Sequence, residues 1–309
     1  MRMRDFSIGE AALVGFRLTR ERPRAVAVWA VLNLIFNLTA VMVLVGVGGP
    51  AMMALQPPPG EAAAQDPTAT LELINQLLPA YGLMLLLWLG FSAVTAAAAT
   101  RAVQRPDEAA MGYVRLGAEE ARVLLVMAAI GLILACAYIG SSLVMGLLLG
   151  VVIGATGGGG GTAAAASMAV VLVPVVLLGL LWLWTRFSLA VPMTMARGRV
   201  DVFGSWALTR GRSGKIFLTY FVAFALYLLV AMLGLAIFLG VGAVVSGSAS
   251  PMEAVMAADM SSIGAYFNVL TVTYAVVMSG IGALGMAIIL CPPAAIYAAL
   301  AGDRAHEVF

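Results

Sequence analysis

Charged side chains are scarce in this chain of 309 residues, where Asp, Glu, Lys and Arg make up 10% and hydrophobic residues 62%. A soluble domain needs a polar surface, and the mean hydropathy of +1.03 lies well above the usual value for such domains. Lipid is therefore the better solvent. No polar stretch is long enough for a separate domain, so residues 1–309 are predicted to form a single membrane domain.

Histidine and cysteine are also nearly absent. The single histidine, His306, lies near the end of the sequence, which argues against a histidine-based metal site or a catalytic triad. Cys136 and Cys291 lie in apolar segments and have neither the spacing of metal ligands nor that of a disulfide framework. We therefore expect no cofactor, no metal and no enzymatic activity.

Six apolar segments are long enough to cross a bilayer as α-helices, since about 20 residues span the ~30 Å of hydrocarbon. They are residues 25–47, 80–100, 123–155, 163–189, 216–245 and 265–300. Pro174 in the fourth segment and Pro292 and Pro293 in the sixth predict kinks. Residues 48–79 are predicted to form a loop that ends in a short amphipathic stretch around residues 71–78, and residues 157–161 are predicted to form a glycine-rich turn. The predicted fold class is an all-α polytopic membrane protein.

Arginine and lysine are confined to alternate connections between these segments. All 17 of them lie before the first span, between the second and third, between the fourth and fifth, or after the sixth, if the inner end of span four is included. Because cationic flanks are retained in the cytoplasm, this distribution predicts a multi-pass protein of the bacterial inner membrane with both termini inside. Membrane flanking also explains the basic segments without a nucleic-acid partner.

The arginine-bearing segments resemble one another. An ungapped alignment of residues 10–24 with residues 108–122 matches two glutamates and two arginines, and Leu-Thr-Arg at residues 18–20 recurs at 208–210. This pattern predicts three repeat units, each an interfacial helix followed by a hairpin of two spans. The units cover about residues 7–100, 105–191 and 200–300. The alternative is that any arginine-flanked interfacial helix would look similar.

Arginines of these segments are candidates for contact with anionic lipid headgroups at the cytoplasmic face. The candidates are Arg17, Arg20, Arg24, Arg115, Arg122, Arg186, Arg210 and Arg212. The alternative is that they only set the topology. For Arg186, which lies beside Trp182 and Trp184, snorkelling to the interface is the simpler explanation.

Small residues recur every four positions in the third span, at Ser142, Gly146, Gly150, Gly154 and Gly158. Such a ridge lets another helix approach closely in lipid. We expect it to pack inside the chain, with contact to a second copy or to another membrane protein as the alternative.

Asparagine is the notable polar residue inside the spans. Asn33 and Asn37 share one face of the first span, and Asn268 lies in the sixth. Hydrogen bonds between helices are expected for these amides, and a ligand site is the alternative. No charged side chain lies near the middle of a span, which disfavours an ion-coupled transporter.

Two stretches carry a resemblance to a known family. Residues 186–192, Arg-Phe-Ser-Leu-Ala-Val-Pro, and residues 205–211, Ser-Trp-Ala-Leu-Thr-Arg-Gly, followed by Ile216, resemble the central signature of bacterial six-span membrane proteins. These are the YciC-like family and the membrane domain attached to some glycerophosphodiester phosphodiesterases. Residues 295–300 resemble the closing tyrosine and leucine pattern of the same group.

The resemblance implies a bacterial inner-membrane protein linked to envelope or lipid homeostasis. No catalytic residue carries over, since the acidic and histidine residues of the phosphodiesterase domain have no counterpart in this sequence. We therefore expect a non-enzymatic protein that organises the membrane or scaffolds partners, with a homo-oligomer as one form of such a scaffold. The alternative is a channel, carrier or lipid-translocating protein with a polar path between helices.

Overall fold

The computed structural model describes residues 6–55, 67–156 and 159–305, and the regular structure in these ranges is helical. In chain order the α-helices are α1 (Ile8–Ala12), α2 (Val14–Glu21), α3 (Pro23–Leu55), α4 (Pro67–Gln104), α5 (Ala118–Thr156), α6 (Gly159–Phe187), α7 (Ala190–Arg197), α8 (Gly204–Thr209), α9 (Ser213–Ser246), α10 (Pro251–Met256), α11 (Ile263–Tyr266) and α12 (Val269–Ala305). Within α3, α4, α5, α6, α9 and α12 lie stretches long and apolar enough to cross a membrane. The prediction of an all-α fold with six helices of membrane-spanning length is confirmed.

The first hairpin, α3 and α4, contains more helix than predicted. The loop is shorter than predicted, because α3 continues to Leu55 and α4 begins at Pro67, ahead of the amphipathic stretch predicted around residues 71–78. Residues 68–78 are rich in leucine, a good helix former, and proline suits the first position of a helix. Residues 56–66 lie outside the described part of the chain.

Prolines occur inside several of the long helices, including Pro50 in α3. Pro79 lies in α4, Pro174 in α6, and Pro292 and Pro293 in α12. Each proline lacks the N–H that would bond one turn back, yet each helix continues on both sides of it. In lipid, neighbouring helices and local adjustments of the backbone compensate for the missing bond.

The second hairpin, α5 and α6, extends an apolar surface away from the remaining helices. α6 begins at Gly159, so the predicted turn over residues 157–161 is shorter than expected. Leu147 and Val151 of α5 and Val170 of α6 are exposed, as expected for side chains that face lipid.

The helix α12 lies at the centre of the bundle and packs against α2, α3, α4 and α9. Its contact with α9 is close because of two glycines. A Cβ atom added at Gly234 would lie 2.0 Å from Cδ1 of Ile281, and one at Gly285 would lie 2.5 Å from Cε2 of Tyr227. These glycines therefore let α9 and α12 approach each other at two levels.

The short helices α1, α2, α7 and α8 gather at one end of the bundle. α1 packs against α9, α2 against α12, and α7 against both α4 and α5. We call this end the arginine-rich face, and it also includes the first turns of α3, α5 and α9 and the last turns of α4 and α6.

The segment before α5 differs from the interfacial helix predicted for the second repeat unit. It contains only a 3-10 turn over Ala110–Tyr113, and α5 begins at Ala118. Pro106 and two glycines, Gly112 and Gly117, interrupt this segment and disfavour an α-helix. Short α-helices therefore precede α3 and α9, where interfacial helices are predicted, but not α5.

Candidate functional site at the arginine-rich face

Arg101, in the last turn of α4, is the buried centre of the arginine-rich face. Its side chain is 1% exposed. Nη2 donates to Oε2 of Glu119 at 2.9 Å and to Oε1 of Glu120 at 2.6 Å, and Nη1 donates to the carbonyl oxygen of Tyr113. A buried arginine needs paired charge and hydrogen bonds, and the start of α5 supplies both.

The end of α4 and the residue that follows it, Arg105, join α4 to α7. Nη1 of Arg105 lies 2.8 Å from Oε1 of Glu119, and its Nη2 donates to the carbonyl oxygen of Met195 at 3.3 Å. Nε2 of Gln104 donates to the carbonyl oxygen of Pro192 at 3.1 Å. These bonds connect the ends of α4, α5 and α7 in one network.

The segment between α4 and α5 is attached to α3. The indole Nε1 of the fully buried Trp29 donates to the carbonyl oxygen of Gly112 at 2.7 Å. Nη1 of Arg22 donates to the carbonyl oxygen of Pro106 and to Oη of Tyr113. The segment is therefore fixed from both sides, by Arg22 and Trp29 from one and by Arg101 from the other.

Three successive residues of this segment adopt left-handed backbone angles. φ is 49° at Met111, 65° at Gly112 and 66° at Tyr113. This region is unfavourable for side chains other than glycine, so the surrounding contacts must hold Met111 and Tyr113 there. A Cβ at Gly112 would lie 2.9 Å from Cβ of Val28, so glycine also allows the close approach to α3.

Arg186, in the last turn of α6, lies against two adjacent indole rings. Its guanidinium carbon is 5.1 Å from the ring centroid of Trp182 and 5.3 Å from that of Trp206 in α8. Nε and Nη1 are buried and have no hydrogen-bond partner among the described residues. Cation–π contacts therefore hold the guanidinium in place, and its Nε and Nη1 donors make no hydrogen bond to the described residues.

Hydroxyl groups join α6 to α8 and α9 around this arginine. Oγ of Ser205 donates to the carbonyl oxygen of Arg186 at 2.7 Å and accepts from the amide of Leu189 at 3.2 Å. Oη of Tyr220 donates to Oγ of Ser188 at 2.8 Å. The backbone around Arg186 is therefore fixed by neighbouring elements.

The eight candidate headgroup arginines differ in exposure. The five exposed ones are Arg17, Arg20, Arg24, Arg115 and Arg210, and the three half-buried ones are Arg122, Arg186 and Arg212. Arg115 pairs with Glu108 at 2.9 Å on the surface.

Asn33 and Asn37 lie at the contact of α3 with α12. Nδ2 of Asn33 donates to Sδ of Met286 at 2.7 Å, and Nδ2 of Asn37 donates to Oγ of Ser279 at 3.2 Å. Both amides also donate to backbone carbonyl oxygens one turn earlier in α3. Hydrogen bonds between helices and a ligand site were the two alternatives for Asn33 and Asn37, and the structure shows hydrogen bonds between helices.

Asn268 has a different role from the one expected. It precedes the first residue of α12, and its Oδ1 accepts from the amides of Leu270 at 2.9 Å and Thr271 at 3.0 Å. The expectation of a bond between helices is wrong here, because the side chain caps the start of its own helix.

The glycine ridge of the third span is not covered by another helix in the described part of the chain. A Cβ added at Gly146, Gly150 or Gly154 would meet no described residue within 4 Å, in contrast to the expected packing inside the chain. α6 approaches a neighbouring face of α5 instead, where Met145 and Leu149 are half-buried. Ser142 is also half-buried, and Gly158 lies outside the described residues. Contact with a second copy stays a prediction.

An apolar crevice of about 270 Å³ lies between the second hairpin and the rest of the bundle. Trp88 of α4, Met127 of α5, Trp184 of α6 and Pro293 of α12 are among its lining residues. Asn33 and Asn37 do not line it. The crevice is therefore suited to apolar groups and does not provide the polar path of the alternative function.

Groups for metal binding or nucleophilic chemistry do not converge in the described ranges. No group of three or more His, Cys, Asp or Glu side chains there could hold a metal ion. Cys136 is exposed and Cys291 is buried, and His306 lies outside the described residues.

Comparison with protein-family models, with curated proteins and with solved structures finds no match to the chain. The resemblance to the YciC-like family therefore stays a prediction, and the arginine-rich face must be interpreted from its own geometry.

The sequence pattern does not identify four residues of this site, namely Arg101, Glu119, Glu120 and Trp29. In that pattern Arg101 is only a cation beside a span. A usable signal was present, because an arginine at the end of one span and an adjacent glutamate pair at the start of the next can meet across a short connection.

Proposed function

We propose that this chain is a non-enzymatic protein of the bacterial inner membrane that organises anionic lipid at the cytoplasmic leaflet. Both termini lie in the cytoplasm in this proposal, so the arginine-rich face lies at the inner headgroups. The chain consists of three repeat units, each contributing a connecting segment to that face. This role extends to scaffolding of partners, including a second copy of the chain.

The observation that carries the proposal is the rigid attachment of the arginine-bearing segments. Arg22, Trp29 and Arg101 fix the connection before α5, while Ser205 and Tyr220 fix the surroundings of α8 and α9. A fixed layer presents its exposed cations without losing the conformational entropy that a flexible loop would lose on binding. It is therefore well suited to hold several anionic headgroups.

The competing function, a channel or carrier with a polar path, has less support. The amides of Asn33 and Asn37 donate to α12 and to their own helix. Asn268 is occupied in capping. Since the crevice between the hairpins is apolar, these residues do not favour passage of a polar solute.

The proposal is tested by extracting the protein in polymer-bounded discs from vesicles of four parts phosphatidylcholine to one part phosphatidylglycerol. The phosphatidylglycerol fraction in the discs is then measured by mass spectrometry. We expect enrichment over the vesicle composition for the wild type, since each basic residue near an anionic surface contributes about 1 kcal/mol.

The variant is the triple change Arg17→Gln, Arg20→Gln and Arg24→Gln, all at exposed positions. Lysine at the same three positions is the matched control, because it keeps the charge. Enrichment should fall with glutamine and persist with lysine. Equal lipid composition in the discs and the vesicles for the wild type would contradict the proposal.

A further inference from the structure

The strongest unexplained feature of the molecule is the unused hydrogen-bonding capacity of Arg186. Two of its guanidinium nitrogens, Nε and Nη1, are buried without a partner among the described residues. A buried charged donor that lacks an acceptor is unfavourable. Snorkelling would carry the guanidinium into water, but here it lies against the adjacent rings of Trp182 and Trp206. An anionic acceptor is the group whose chemistry fits these donors.

A groove between α6 and α9 is lined by Thr185 and Trp182, the residue before Arg186 and the residue one turn before it. It has a volume of about 230 Å³ and is lined by Leu178, Leu181 and Trp182 of α6 and by Gly214 and Phe217 of α9, among others. Trp182 contacts the guanidinium of Arg186 and also lines the groove. The guanidinium of Arg186, which we call the polar end, therefore lies beside an apolar groove.

A second cation lines a neighbouring depression. Arg210 lines it together with Trp206, whose ring the guanidinium of Arg186 contacts. The first turn of α9 contributes Ser213 and Gly214 to the groove, and the partial positive charge of a helix start favours an anion there. The tryptophans are typical of the membrane–water interface, which is the level of a phospholipid headgroup.

We propose that the groove between α6 and α9 binds one anionic phospholipid, with its phosphate at Arg186 and an acyl chain along Leu178, Leu181 and Phe217. The orientation of this lipid in the inner leaflet rests on the proposed function. The site itself is distinct from the general layer of exposed arginines, because its donors are buried and specific for a single headgroup.

A phospholipid satisfies both parts of the groove, whereas a free phosphate satisfies only one. The phosphate accepts from Nε and Nη1, and charge-assisted bonds of this kind are among the strongest that proteins form. The acyl chain covers the apolar wall, which a soluble anion would leave unfilled. Net negative charge on the headgroup adds attraction to Arg210, so phosphatidylglycerol is preferred to phosphatidylcholine.

The test is a native mass spectrometry titration of the delipidated protein in detergent, with phosphatidylglycerol, phosphatidylcholine or glycerol 3-phosphate as the added probe. For the wild type we expect one tightly bound phosphatidylglycerol, with at least about tenfold weaker binding of phosphatidylcholine. Glycerol 3-phosphate at the same concentration is expected not to bind.

Two variants remove the two parts of the site separately. Arg186→Gln removes the charge and should weaken binding of the first phosphatidylglycerol about tenfold, as expected for loss of a charge-assisted bond. Gly214→Leu inserts a side chain into the groove where a Cβ meets no described residue within 4 Å. The leucine side chain should block the acyl chain. If Arg186→Gln does not fold, binding of phosphatidylglycerol to Gly214→Leu tests the site.

Gly240→Leu is the matched control, because Gly240 lies at the other end of α9 and a Cβ there also meets no described residue within 4 Å. It should bind lipid like the wild type. Unchanged binding of the first phosphatidylglycerol in Gly214→Leu overturns the inference, as does glycerol 3-phosphate binding as tightly as the lipid. If the glutamine triple variant reduces lipid enrichment in the discs while Gly214→Leu binds phosphatidylglycerol like the wild type, the proposed function is supported and this site is not.

Discussion

At the scale of single residues, Arg101 is the most constrained cation of the arginine-rich face. Its 1% exposure means that Glu119 and Glu120 provide compensation that water cannot. Buried ion pairs contribute little net stability compared with apolar replacements, yet removal of one partner leaves the other charges unpaired. The residue therefore determines how α4 meets α5.

Arg101→Met is expected to destabilise the protein by about 3–5 kcal/mol, because two carboxylates lose a shared partner in a half-buried to buried position. The measurement is the midpoint of thermal unfolding in detergent. Arg115→Gln is the matched control, since it removes the exposed partner of Glu108 and should cost at most about 1 kcal/mol. Similar midpoints for the two variants would show that the buried network does not stabilise the bundle.

At the scale of elements, close packing depends on glycines that the sequence pattern did not single out. The regular ridge in α5 is open, whereas isolated glycines in α9 and α12 make the tight contact. Helix contact in lipid favours small residues wherever two backbones approach, and regular spacing is not required.

Gly234→Leu is expected to disrupt the contact of α9 with α12, because a Cβ at this position lies 2.0 Å from Cδ1 of Ile281. Overpacking of this kind typically costs about 1–3 kcal/mol or more. Gly240→Leu changes the same residue type in the same helix at an open position and serves as the control. Folding is followed by the monodisperse fraction in size-exclusion chromatography. A loss of folded protein in the control as large as in the variant would contradict the assigned contact.

The elements that hydrophobic length defines could be predicted from sequence, and those that backbone detail defines could not. Six spans follow from solvent preference, which depends on composition alone. The segment over residues 105–117 looked like an interfacial helix by its spacing of apolar and charged residues. Its left-handed turn at Gly112 depends on contact with Trp29 and Val28 of α3, which no local pattern contains.

The same distinction applies to the candidate site. Arginine-rich segments could be located from sequence, because their positions follow from charge alone. The choice of Arg186 over its neighbours depends on Trp206, which is 20 positions away in the chain and belongs to another helix. Contacts between separate helices of this kind are decided by packing, so spacing within one segment could not identify them.

At the scale of the whole molecule, the gathering of α1, α2, α7 and α8 at one end gives the bundle two chemically different ends. Exposed arginines lie at one of them, and the opposite end carries Glu253 and Asp259. A membrane protein with this asymmetry is expected to orient with its cationic end in the cytoplasm.

This orientation is tested by single cysteines at two exposed positions, Ala196→Cys at the arginine-rich face and Ala249→Cys at the opposite end. Both are made with Cys136→Ala, which removes the exposed native thiol, while Cys291 is buried. A membrane-impermeant maleimide should label position 249 in intact cells and position 196 only after permeabilisation. Labelling of both positions from the same side would rule out the six-span topology.

The central position of α12 has a consequence for the order in which the protein can assemble. During synthesis α12 follows the other five long helices, so the amides of Asn33 and Asn37 enter the membrane before Met286 and Ser279 exist. Until then these amides of α3 have only carbonyl oxygens of their own helix as partners. The centre of the bundle can therefore pack only after α12 has been synthesised, because α2, α3, α4 and α9 all pack against it.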